Sequence, residues 1–448
     1  MHRRAPWLLM IALIPLLALV AACGGSRMPS LVVPGEATDL GLSPKGLMGA
    51  TYSLVAQDGG IRVLTVDEER VNLVGYDAEG QQTGAEILLN LQPELWAVDE
   101  AMLASAIMTH RYEDLPLVTL EGCIRSGLSD IARHVFVYDR GLVPVADGYG
   151  LVFGARTTLE CDEAGANATV SVEHIIVFDA DFNRIQHDRA VWIEKAPMDA
   201  VVAVDGQSLR AAWLASDGVY IGGGGAPVSR VVKFTDPWSG SEIPAHFFEP
   251  TPGQDVMFAL GVIERPMATV GQGESYLVLH MADRADPSSL KVSRLALPEH
   301  PQAVAGAWSG DRLGVTLFAE VRPPHAESRA MAYFVTFDDA ATAQGELETI
   351  LGWKSALGKS FGMQELVMAY RDGTYAAAIL YDQGMGGMID LIPIESSGPM
   401  PPATHDMGWS DAKDLRLLSC GEDFLILWSD KVVRLLRVAP PYGVAASH

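Results

Sequence analysis

The chain has 448 residues, 56 Asp and Glu against 32 Lys and Arg, and a net charge of −24 at pH 7. An acidic balance of that size speaks against nucleic acid and against electrostatic adhesion to anionic lipid. The length admits one large repeat fold or two to three ordinary domains.

The first element in chain order is not fold. Met1-His2-Arg3-Arg4 is basic, and the 18 residues from Ala5 to Ala22 carry no charge. The run ends in small residues. A basic start, an apolar middle and a small-residue stop describe a secretory signal. A membrane span of 18 residues is barely long enough for a bilayer, and Pro15 interrupts it. Val20-Ala21-Ala22-Cys23 resembles the lipobox of bacterial lipoproteins. That resemblance implies a diacylglycerol on the Cys23 thiol, cleavage just before it and acylation of the new N-terminus. Several acyl chains hold a protein where one binds only marginally. With Gly24 rather than Asp after the Cys, the resemblance points to the outer membrane of a bacterial envelope. Losing residues 1–22 removes Arg3 and Arg4 and takes the net charge from −24 to −26. The expected organisation is a signal peptide over 1–22, a lipidated Cys and flexible tether over 23–46, and one folded domain over 47–448. The tether is rich in Gly, Pro and Ser, with at most a short strand at Leu31–Val33.

From residue 61 onward the chain alternates apolar runs of four to eight residues with Gly, Asp, Pro and Ser, the pattern of strands and turns. The runs come in pairs: 61–67 with 70–77, 102–110 with 132–139, 150–156 with 172–179, 209–216 with 229–236, 276–283 with 290–298, 313–320 with 331–338, 375–382 with 388–394, and 424–430 with 432–438. These are eight pairs, and 363 residues separate the first from the last, about 52 per step. "AVDEAML" at 97–103 matches "AVDGQSL" at 203–209 at twice that period, so 93–108 reads as a hairpin rather than a helix. A period near 50 with four strands per unit predicts an all-β fold, a β-propeller of about eight four-stranded blades, seven being possible. Recurrent Asp77, Asp139, Asp179 and Asp338 predict side-chain-capped turns. Leu31–Val33 is the expected strand to complete the last blade and close the ring.

Four cysteines remain to be placed. Cys23 takes the lipid. Cys123 and Cys161 precede Asp139 and Asp179 by 16 and 18 residues. Read as matching loops of consecutive blades, they predict a disulfide, as an oxidising compartment allows. Cys420, in an apolar run, is expected as a buried free thiol. There is no CxxC or zinc-type Cys/His spacing, so no metal and no cofactor are expected.

Catalytic patterns were tested against their structural context. Gly358-Lys-Ser360-Phe-Gly362 matches G-x-S-x-G, and Asp390 and His405 follow in triad order, but the strand–turn–helix surroundings of a nucleophile elbow are absent. Asp179-Ala-Asp181-Phe-Asn183 begins like a calcium loop, yet Arg184 and Ala190 stand where Gly and Glu are needed. The lipid signal, length and blade number resemble, as a class, the propeller lipoprotein of the outer-membrane barrel-assembly machinery. "GYDAEGQQTGAEIL" lacks that family's closing Trp. The sequence thus reads as a non-catalytic binding or scaffold module with a protein or glycan partner, joined to the membrane by covalent lipid and not to nucleic acid. The alternative is a lipid-anchored hydrolase or lyase with its site on the propeller axis.

Overall fold

In the computed structural model of the chain, the described residues are 31–32, 37–40, 52–57, 60–66, 70–90, 136–145, 148–161, 166–179, 183–193, 199–205, 208–215, 218–223, 226–233, 242–248, 256–264, 275–283, 290–321, 329–354, 362–382, 387–408, 412–430 and 432–439. All regular structure among them is β. Two short strands come first, β1 (Leu31–Val32) and β2 (Thr38–Asp39). Sheet one then holds β3 (Tyr52–Gln57), β4 (Gly60–Val66), β5 (Arg70–Asp77) and β6 (Gln82–Asn90). Sheet two holds β7 (Phe136–Val145), β8 (Gly148–Cys161), β9 (Ala166–Asp179) and β10 (Arg184–Ile193). Sheet three holds β11 (Asp199–Asp205), β12 (Ser208–Ala215), β13 (Gly218–Gly223) and β14 (Ala226–Lys233). Sheet four holds β15 (Glu242–Phe248), β16 (Val256–Glu264), β17 (Ser275–Asp283) and β18 (Leu290–Leu297). Sheet five holds β19 (Ala303–Trp308), β20 (Arg312–Val321), β21 (Arg329–Asp338) and β22 (Ala343–Lys354). Sheet six holds β23 (Gly362–Arg371), β24 (Thr374–Asp382), β25 (Gly387–Glu395) and β27 (Ala403–Gly408), with β26 (Gly398–Pro399) on β25 and β1 on β27. Sheet seven holds β28 (Lys413–Cys420), β29 (Asp423–Ser429) and β30 (Val433–Val438), completed by β2.

The first strands of successive sheets lie side by side, β3 against β7, β7 against β11, β11 against β15, β15 against β19, β19 against β23 and β23 against β28. The series closes with β28 against β3. The fold is therefore a β-propeller whose described residues form seven sheets around an axis lined by seven first strands. The expected eighth pair dissolves for a definite reason: residues 136–139 of the 132–139 run begin β7, the first strand of the sheet that also holds β8 and β9. Its expected partner, 102–110, lies outside the described residues, as does the segment 93–108 read from the sequence as a hairpin.

Two-sided burial explains why the sequence shows unbroken apolar runs rather than alternation. In β12, Ala211, Trp213 and Ala215 pack toward sheet two, while Ala212 and Leu214 pack toward sheet four. In β24, Ala377, Ile379 and Tyr381 join the core shared with sheet five. The alternate residues Ala376, Ala378 and Leu380 join the core shared with sheet seven. In β29, Phe424, Ile426 and Trp428 face sheet six and Leu425 and Leu427 face sheet one. A strand with such a setting has no solvent face to mark with polar residues.

Three of the four recurrent aspartates cap turns between third and fourth strands. Asp77 Oδ1 accepts from the backbone N–H of Glu79 at 3.1 Å and of Gln81 at 2.7 Å. Asp338 Oδ1 accepts from Ala340 N at 3.0 Å and Thr342 N at 2.8 Å. Asp179 Oδ1 accepts from Asn183 N at 2.8 Å. The fourth, Asp139, sits inside β7 opposite Phe153 and forms no such turn. The third residue after the Asp enters the left-handed region at Gly80 (φ 80°) and Ala341 (φ 61°).

The ring closes through the N-terminal segment, but by a different strand from the one expected. Thr38 and Asp39 pair antiparallel with Leu435 and Arg434 and supply the fourth strand of sheet seven. Leu31 and Val32 instead pair in parallel with Ala403 and Thr404 at the outer edge of sheet six. Residues 31–40 thus contribute two strands where the sequence suggested mostly tether. Leu40 is buried in the core between sheets seven and one, and its carbonyl accepts from Tyr76 Oη at 3.0 Å. Arg437 of β30 joins Asp423 and Glu79, linking sheet seven to the Asp77 turn of sheet one.

Four antiparallel strands per sheet give the ring two distinct faces. First-to-second and third-to-fourth turns emerge on one, here termed the turn face. Second-to-third turns and the links between sheets emerge on the other, the link face. The contact of Thr38 Oγ1 with Glu79 O agrees with this, because both lie on the turn face.

Candidate functional site

In propellers the axis is where single residues from several blades can converge, so the first strands come first. On β23, Glu365 accepts from the backbone N–H of Asp414 at 2.6 Å and also from that of Leu415. Asp414, the second residue of β28, has a φ of 58°, and its carboxylate accepts from Ser429 Oγ at 2.8 Å. Burial pushes the Glu365 carboxyl above its usual range, against the pull of the two N–H donors and Arg416. This carboxylate fastens sheet six to sheet seven, with both oxygens committed to backbone donors.

The triad ordering suggested by Ser360, Asp390 and His405 does not survive the strand register. Asp390 pairs opposite Thr404 and His405 opposite Ile389, so their side chains project from opposite faces of sheet six. Asp390 is buried at 2% exposure and accepts from Tyr381 Oη at 2.9 Å and from Thr404 Oγ1. His405 packs against the Trp428 ring, with centroids 5.4 Å apart. Ser360 lies outside the described residues. The calcium-like start at Asp179 resolves into the turn above, its second oxygen accepting from Asn183 Nδ2 at 3.1 Å. Among the described residues no group of three or more His, Cys, Asp or Glu is placed to hold a metal ion.

The most distinctive polar pair is one the linear sequence conceals. His174 of β9 and His187 of β10 are 13 residues apart, and the hairpin register sets them diagonally on one face. Nδ1 of His174 lies 3.0 Å from Nε2 of His187, and the rings stack with centroids 5.3 Å apart. One nitrogen donates and the other accepts, which requires at least one neutral ring. Burial, then His187 and Arg189, hold His174 well below the ordinary imidazole range. Burial, then Arg184 and Arg189, bring His187 down to about 4, against the opposite pull of Asp188. Both shifts favour the neutral rings that the hydrogen bond needs. Only the β9–β10 register could have shown it from the sequence, since neither histidine lies in a local motif.

Of the two cysteines expected to pair, Cys161 ends β8 on the link face of sheet two, and Cys123 lies outside the described residues. The described strands on either side of Cys123 end at Asn90 and begin at Phe136, both on the link face. Cys23 is likewise outside the described residues. Cys420 is a buried free thiol, as expected, and its Sγ donates to the Gly60 carbonyl at 3.3 Å.

No family model and no curated protein matches this chain. Solved structures similar to it include Drosophila Plexin A in complex with Semaphorin 1b, at 9% identity and a TM-score of 0.41 over 88% of this chain and 87% of that one. The WD40 domain of SCAP from fission yeast is similar at 9% identity and a TM-score of 0.39, over 90% and 97% of the two chains. A post-proline cleaving enzyme from Rickettsia typhi is similar at 8% identity and a TM-score of 0.44, over 88% of this chain and 53% of that one. Likenesses this distant carry no argument about function, and the propeller assignment rests on the strand pairing and the closed series of first strands.

Proposed function

We propose that this chain is a lipid-anchored propeller of a bacterial envelope, acting as a binding or scaffold module for a protein or glycan partner. The observation that carries the reading is Val20–Cys23, followed closely by strands stitched into the rim of the ring. A thiol after small residues is the alkylation site of a lipoprotein, and the acidic body gives the membrane link no electrostatic substitute. The proposal includes a Cys123–Cys161 disulfide, as an oxidising compartment allows.

Cys23→Ser decides the anchor. The substituted protein is expected in the aqueous phase of a detergent partition and the parent in the detergent phase; equal partitioning would reject the anchor. Affinity capture of the lipidated protein from its native membrane is expected to return a reproducible partner. Covalent labelling by a fluorophosphonate that disappears in Ser360→Ala would instead establish a hydrolase.

A further inference from the structure

The geometry points to a fixed orientation: we infer that the ring is carried with its turn face beside the lipid bilayer and its link face directed away. The inference rests on lipidation at Cys23. It follows from where, and in which direction, the chain enters the fold.

β1 runs parallel to β27, with Leu31 opposite Ala403, the first residue of that strand. β27 is the outermost long strand of sheet six, and as a fourth strand it starts at the turn face. The chain before Leu31 therefore leaves the protein at the turn face, on the outer rim. The next strand agrees: Thr38, where β2 begins, contacts Glu79 in the Asp77 turn on the same face.

The chain length fixes how far the rim can stand from the lipid. Eight residue steps separate Cys23 from Leu31, so the attachment can lie at most about 29 Å from the acylated residue in any conformation. The body of sheet six is of the same height, since the nine residues of β24 rise about 30 Å. An anchor leaving the turn face would use its whole length merely to pass the rim before the link face could rest on the bilayer. With the turn face inward, no such extension is needed. Exposed Asp339 and Glu422 add negative charge to the turn face, so the tether holds this face near the bilayer without charge attraction to anionic lipid.

The test uses the full-length lipidated protein in vesicles whose lipid headgroups carry a short-range quencher. A fluorescent non-canonical amino acid is placed at exposed Glu422 on the turn face or exposed Lys413 on the link face. The two sites bracket β28, so they differ by about 25 Å in height within one sheet. Quenching is expected to be roughly twofold or more stronger at Glu422, since the quencher's reach is shorter than that separation. Inserting about twelve Gly/Ser residues between Cys23 and Leu31 should erase the difference. Equal quenching in the parent, or stronger quenching at Lys413, would overturn the orientation. Flotation of the same vesicles separates the two ideas. A parent that floats but shows no asymmetry sinks the orientation alone, whereas a parent that floats no better than Cys23→Ser sinks the lipid anchor and the orientation with it.

Discussion

At the scale of single residues, the described polar groups with resolved roles are fastened to neighbours, and their removal gives sharp expectations. Asp338 accepts two backbone N–H bonds and one from Gln344 Nε2 at 2.8 Å. Asp338→Ala should cost about 1–2 kcal/mol, as an exposed cap does, while Asp338→Asn keeps an acceptor oxygen and should recover most of it. Urea midpoints read both, and equal losses would reject the capping account. The histidine pair predicts a pH effect of known sign. A folded-state pKa below the unfolded value near 6.5 means that the folded state resists protonation. The contribution is complete above pH 6.5 and is lost as pH falls toward about 4, the value for His187. His187→Gln keeps a hydrogen-bonding side chain without that titration. The difference in Tm between parent and variant should therefore shift steadily between pH 6.5 and 4. A pH-independent difference would show that the pair stays neutral in both states or titrates elsewhere.

At the scale of strands, legibility in the sequence followed burial. Second strands such as β24 and β29 are enclosed on both faces, so their apolar runs stand out. Outer strands are less marked: β18 alternates, and its Val292 is 57% exposed. β13, Gly218–Gly223, lies between the paired runs 209–216 and 229–236 and belongs to neither. The structure shows why glycine is there: a Cβ on Gly222 would lie 3.0 Å from the Trp213 ring and 2.9 Å from Val228 Cγ2. The strand is thinned so that Trp213 can pack edge-on against Trp192 in the core between sheets two and three. Trp213→Ala should then cost about 3–5 kcal/mol. The axial contacts were not legible at all, since Glu365 and the N–H groups it meets are about 50 residues apart and come together only through the ring. Glu365→Ala leaves two N–H groups without that carboxylate and should destabilise by about 2–4 kcal/mol. Its raised carboxyl pKa adds a second signature: stability from this group is present below the unfolded value near 4.5 and declines as pH rises through the folded value. Glu365→Gln should remove that decline, and a thermal-melt series in pH would show whether it does.

At the scale of the whole molecule, the decisive property is closure. A string of independent domains would let each part melt alone. Here each described sheet from two to seven shares its core with the sheet after it, and sheet seven shares Leu425, Leu427 and Leu435 with Ile61, Val63 and Val74 of sheet one. The seam is also tied by β2 on β30, by Tyr76 on the Leu40 carbonyl and by Arg437 between Asp423 and Glu79. Removing residues 424–448 deletes nearly all of β29 and the whole of β30. It strips Phe424, Ile426 and Trp428 from the face of sheet six and Leu425 and Leu427 from that of sheet one. Each fully buried side chain of this size is worth about 1.5–3 kcal/mol in transfer alone. The loss from these five exceeds much of a native domain's net stability of about 5–15 kcal/mol. β2 loses β30, its partner strand among the described residues, at the same time. The truncated chain should therefore lose its cooperative melt and most of its strand signal by circular dichroism, rather than shedding one unit and keeping the rest. A truncated protein that retained a single sharp transition near the parent's Tm would show that the sheets do not depend on closure, and the ring would then be a line of units that happen to meet.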